Sequence, residues 1–171
     1  KQVIAAIKEI VEKYRVGYSD IAVLFPFKKN PALKYYFMPW ITEALDKEGI
    51  PYSLITPPVD ASQSKVQYSK TTGVVLSTID SSLGLDFKAV IVAGLFPYNF
   101  YYSDDGEKEQ IKTWEQIGKL DRAEQERVQI QIRKVYTACS RAREILYVIS
   151  DLNPDSPMEK ILTEAKEKWN G

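Results

Sequence analysis

The sequence predicts an α/β domain: a mostly parallel β-sheet with helices on both faces. Three observations predict it. Five short runs, at 21–25, 50–55, 74–77, 89–93 and 145–149, read as strands, and the apolar run 21–25 has the length and content of a buried one. Patterns of helical period separate most of them, the order expected when parallel strands are joined by helical crossovers. The chain has 171 residues, 44% of them hydrophobic, which is enough for one real core and too little for two large ones.

Each element follows from its residues. Residues 1–15 place Val3, Ile4, Ile7, Ile10 and Val11 at helical spacing, with Gly17 as the stop. The run IAVLF at 21–25 is the first strand. Asn30 and Pro31 suit the start of a second helix, which ends before Gly49. Pro39 inside that segment predicts a kink or a delayed start near 38–40. The second strand, 50–55, is ended by Pro57 and Pro58, and the polar stretch 57–72 reads as a surface connection. Two strands follow at 74–77 and 89–93. Residues 121–138 form a long helix with Val128, Ile132 and Val135 in its apolar stripe. The last strand is 145–149. Ser156 caps a final helix opening at Pro157, with Ile161, Leu162, Ala165 and Trp169 on its inner side. Ligands on such sheets are expected beyond the carboxyl ends of the strands.

Composition excludes several function classes. Lysine plus arginine number 23 and aspartate plus glutamate 23, so no bulk basic charge advertises a nucleic-acid binder, although a neutral average can hide a basic face. One cysteine, Cys139, and no histidine leave no internal disulfide framework, no cysteine/histidine zinc site and no acyl-transfer triad. A single cysteine suits a reducing, cytoplasmic setting. No apolar run is long enough to span a bilayer, and no membrane role is expected. No phosphate-cradling glycine loop of the Walker A kind is present, so the chain alone should not bind ATP tightly. The pattern begins at Lys1 already inside a helix, which suggests a piece of a longer protein. The stretch 96–106 gathers Phe96, Tyr98, Phe100, Tyr101 and Tyr102 before the acidic pair Asp104–Asp105. It is either a stacking surface or a loop packed on its own domain or a neighbour. The acidic pair reads as loop solvation.

Two local features carry chemistry. Ser140-Arg141-Ala142-Arg143 lies between a helix end and a strand start. A guanidinium there offers fixed donors and a permanent charge to a transferring phosphoryl group, or pairs with a carboxylate on its own surface. The second feature runs from Ser77-Thr78 through a turn to Gly84 and Asp86. A hydroxyl and backbone N–H groups at such a turn can bind phosphate. Glycine there permits close approach or positive φ. The plainer reading is a strand-to-helix turn in which Thr78 caps a short helix.

In this order the two features resemble motifs V and VI of superfamily I helicases of the UvrD/Rep/PcrA kind. The motif V pattern, T-x-H-x-x-K-G-L-E-F between two hydrophobic strands, is matched within VVLSTIDSSLGLDFKAVIVAG by Thr78, Gly84, Leu85, Asp86 (usually glutamate) and Phe87. The motif VI pattern, R-R-L-x-Y-V-A-x-T-R-A, is matched within IRKVYTACSRAREILYV by Arg133, Tyr136, Ala138, Ser140, Arg141 and Ala142. DIAVLFPFKKN and EGIPY resemble the opening of the same domain, so the likeness covers roughly 18–55, 71–97 and 124–150.

The resemblance implies a RecA-like P-loop NTPase fold without its own P-loop, the second motor domain of an ATP-dependent DNA helicase. It implies that Arg141 reaches the γ-phosphate and stabilises charge there. Asp86 accepts from the nucleotide ribose, and Gly84 lets the turn pass close to the nucleotide. Thr78, with Ser77 and the turn beside it, touches the nucleic-acid backbone. ATP and Mg2+ would be the cofactors of the longer protein. An N-terminal RecA-like domain carrying the Walker motifs, and single-stranded or duplex DNA, would be its partners. Asp80 and Leu83 stand where the family has histidine and lysine, which removes positive charge from the nucleic-acid side. The position of the large accessory insertion holds only the short connection before motif V. A compact helicase is one expectation. A helicase-derived regulatory or nucleic-acid-binding module without unwinding is the other. DNA-stimulated ATP turnover with movement separates them.

Overall fold

The computed structural model describes residues 1–26, 36–55, 72–95, 114–152 and 154–170. The expected connections at 57–71, the capping pair Asn30–Pro31 and the aromatic and acidic stretch 96–106 lie outside the described residues. Five strands form one all-parallel sheet: β1 (Ile21–Phe25), β2 (Tyr52–Ile55), β3 (Val74–Thr78), β4 (Phe87–Leu95) and β5 (Ala142–Ser150), in the order β2-β3-β1-β4-β5. The helices are α1 (Gln2–Tyr14), α2 (Phe37–Lys47), α3 (Trp114–Lys119), α4 (Arg122–Cys139) and α5 (Pro157–Asn170).

The period-2 alternation of the central strands divides their side chains between two cores. On one face Ile21, Val23, Phe25, Val74, Leu76, Ala89 and Ile91 meet α1 and α2. Ile7 and Ile10 of α1 and Leu45 of α2 are fully buried there. On the other face Ala22, Leu24, Val75, Val90 and Val92 meet Val128, Val135 and Ala138 of α4 and Met158 of α5. Every residue of β1 is therefore buried, which is why its sequence shows no polar alternation. Each large aliphatic side chain buried in this way contributes about 1.5–3 kcal/mol.

Helix starts and stops follow local chemistry. Pro39 delays α2, which begins at Phe37, so that the proline falls in the first turn, where its missing N–H costs no helical bond. Asp121 caps α4 in a reciprocal capping box with Glu124: the Glu124 N–H donates to Asp121 at 2.9 Å. The Glu159 N–H donates to Ser156 Oγ at 3.3 Å, the expected cap of α5.

Two expectations need correction. Helix α3 was not expected; its six residues include Gly118 and are too few for a periodic signal. Ala165 was expected on the inner side of α5 and is exposed. Burial in α5 is concentrated at its first turn around Met158, with Ile161 and Leu162 only half-buried, and residues 163–168 are exposed. The side chain of Trp169 lies outside the described residues.

Candidate functional site

Parallel pairing gives the sheet two chemically distinct ends. The carboxyl end of β3 is Thr78, and residues 79–86 then return the chain to the amino end of β4 at Phe87. The segment that resembles motif V is thus the crossover itself, with one end at each end of the parallel strands.

At the carboxyl end, Ser77 is buried and its hydroxyl donates to the Thr78 carbonyl at 2.9 Å. Thr78 is half-buried and accepts from the Ser81 N–H at 3.3 Å, with the two hydroxyls 2.7 Å apart. Thr78 thus braces the 3-10 turn Asp80–Ser82 from the residue before its N-cap, Ile79, and the hydroxyl of Ser82, itself buried, closes that turn on the Ile79 carbonyl at 2.7 Å. Asp80 is held by Lys134 of α4, Nζ to Oδ2 at 2.9 Å. Leu83 is exposed.

At the amino end, Gly84 has φ +80°. A Cβ there would meet nothing within 4 Å, so this glycine is required for its left-handed backbone and not for close approach within the chain. Asp86 follows, and the Phe87 N–H donates to the Arg141 carbonyl at 2.9 Å, joining the two motif-like segments through the backbone. The Arg141 side chain folds onto the same junction. Its Nη1 lies 3.4 Å from Asp86 Oδ1 and donates to the Leu85 carbonyl at 3.5 Å; its Nε donates to the Thr137 carbonyl at 3.3 Å, and its Nη2 to Ser140 Oγ at 3.2 Å. The Arg141 side chain is 23% exposed and that of Asp86 is 59% exposed. A pair so open to solvent and so long contributes at most about 1 kcal/mol. A fully charge-assisted hydrogen bond to a phosphate can replace it.

The structure thus brings Gly84, Asp86 and Arg141 together and keeps Ser77 and Thr78 apart from them on the opposite edge. Of the candidate residues, Ser77 and Thr78 stand at the carboxyl end of a strand, where ligands on such sheets are expected. Asp86 and Arg141 precede the amino ends of β4 and β5. Sequence reasoning also left Arg143 unassigned. It lines a cleft of about 180 Å³ beside Asp86, with Ser19, Asp20 and Lys88. No sequence pattern announces this, because the cleft depends on strand register.

Other chemistry is limited. Burial pushes the Cys139 thiol up to about 11, which leaves it a poor nucleophile near neutral pH. Among the described residues no cluster of histidine, cysteine, aspartate or glutamate is arranged to hold a metal ion, and no helix is long and apolar enough to cross a membrane.

The fold is an all-parallel α/β sheet layered by helices, the architecture of RecA-like domains. No family model matches the chain. No curated protein matches it in sequence. A solved structure, the C-terminal domain of a possible DNA helicase from Lactobacillus plantarum WCFS1, is similar over 92% of this chain and 68% of that one, at 20% identity and a TM-score of 0.45. Similarity at that level leaves the functional reading to rest on this chain's own residues.

Proposed function

We propose that this chain is the second, C-terminal motor domain of an ATP-dependent DNA helicase of the UvrD/Rep-like superfamily I kind. The observation that carries the reading is the meeting of Asp86 and Arg141: two motif residues distant in sequence stand 3.4 Å apart at one edge of the sheet. Asp86 presents a carboxylate, more than half exposed, that can accept from ribose hydroxyls. Arg141 supplies a permanent cation held by weak, exchangeable contacts, which suits a group that must turn towards a phosphate. Gly84 gives the backbone its turn into Asp86. These residues fit half of a nucleotide site. The phosphate cradle would come from a preceding RecA-like domain of the same polypeptide, and ATP with Mg2+ supplies the phosphoryl group when bound between the two. On the opposite edge, Thr78 would face the nucleic-acid backbone, with buried Ser77 holding the strand end behind it.

The test uses the full-length protein. ATP turnover stimulated by single-stranded DNA, with translocation or strand separation, is the expected result. Turnover indifferent to DNA, with no movement, would sink the helicase reading. It would favour a helicase-derived regulatory or nucleic-acid-binding module that keeps the nucleotide switch without unwinding. That second reading draws on the carboxyl-end edge, where Lys134 is engaged by Asp80 and the Ser77 hydroxyl by the backbone.

A further inference from the structure

The cleft beside Asp86 has a construction of its own. Between β4 and β5 the register runs Phe87↔Ala142 and then Ala89↔Ile145. Lys88 of β4 is therefore opposed by two residues of β5, Arg143 and Glu144, which is a β-bulge. The bulge sets both side chains beside Lys88. Glu144 takes the ion pair, Oε2 to Lys88 Nζ at 3.6 Å. Arg143 instead lines the cleft, exposed, and among the described residues it makes no hydrogen bond or ion pair. Arg141, by contrast, is engaged by Asp86, Leu85, Thr137 and Ser140. The uncommitted guanidinium at this edge is the one the bulge re-aims.

The rest of the lining selects the ligand class. Asp20 and Asp86 line the cleft together with Lys88 and Arg143, Ser19 adds a hydroxyl, and the remaining lining is apolar. A chain of phosphates alone would meet two carboxylates. A ligand carrying both hydroxyls and a phosphate matches the mixture: carboxylates accept from hydroxyls, and the guanidinium fork takes phosphate oxygens. We infer that this cleft is a ribose-phosphate pocket, with Arg143 as its phosphate-contacting residue and Asp20 as a hydroxyl acceptor alongside Asp86. The inference rests on the nucleotide-facing reading of this edge and names two residues beyond it.

The test is a titration of the 15N-labelled chain with ribose 5-phosphate and, separately, with ATP, followed through backbone amide shifts. Saturable millimolar shifts are expected at Asp20, Asp86, Lys88 and Arg143. Arg143→Gln, with an otherwise unchanged spectrum, should weaken both ligands roughly five- to tenfold. Asp20→Asn should weaken ribose 5-phosphate and leave inorganic phosphate unaffected. Shifts outside the cleft, or an Arg143→Gln chain that binds as the parent does, overturn the inference. Arg143-dependent binding of ribose 5-phosphate in a protein whose ATP turnover ignores DNA keeps the pocket and removes the helicase reading, so the two fail separately.

Discussion

At the amino ends of β4 and β5, charged groups stand half-open to solvent: Asp86 and Arg141 in a long pair, Arg143 lining a cleft. At the carboxyl end of β3, the polar groups are closed on one another: Ser77 on the backbone, Thr78 on Ser81, Ser82 on Ile79, Asp80 on Lys134. The same crossover, residues 79–86, supplies both ends. The difference teaches that this segment is two devices in one. Its first half is a satisfied turn whose hydroxyls already have structural work. Its second half delivers a half-open carboxylate to the junction with Arg141.

Substitutions along this segment sharpen the contrast. The largest stability effect is expected just upstream, at Gly73. Its φ is +83°, and an added Cβ would lie 2.2 Å from the Pro51 carbonyl oxygen. Gly73→Ala should cost on the order of 4 kcal/mol, seen as a collapse of the denaturant midpoint. Gly84 has a similar φ with open space around it, so Gly84→Ala should cost only about 1–2 kcal/mol in the same experiment. If the two were equal, close approach would matter at Gly84 after all. A smaller effect is expected from Thr78→Ala, which removes the brace on the 3-10 turn. A loss of about 1 kcal/mol by thermal or chemical unfolding would match a structural hydroxyl. No loss would mean that Thr78 is free to serve a ligand alone.

Much of the fold is legible in the sequence because its three central strands are buried on both faces. Ile21–Phe25 reads as a strand from apolar content alone. Caps were legible where side chain and backbone meet locally, as at Asp121 and Ser156. Long-range geometry was not. Spacing leaves Arg141 open between a phosphoryl group and a carboxylate of its own surface, and the structure sets it on such a carboxylate, Asp86. The bulge that turns Arg143 into the cleft has no sequence signature, since Arg143 and Glu144 look alike to any pattern of polar residues. The resemblance puts Asp80 where the family has histidine, removing a positive charge from the nucleic-acid side. The structure pairs it with Lys134 from a distant helix. Ser77 and Thr78 are adjacent in sequence, yet Ser77 is buried because β3 is covered on both faces.

The central claim is that the amino-end edge faces nucleotide while the carboxyl-end edge faces nucleic acid. Single-turnover ATP hydrolysis by the full-length protein, with and without single-stranded DNA, tests it in two variants. Arg141→Ala should lower the rate roughly a thousandfold in both conditions. Thr78→Ala should keep the DNA-free rate and lose the stimulation. An Arg141→Ala protein that turns over ATP at the parent rate would contradict the account.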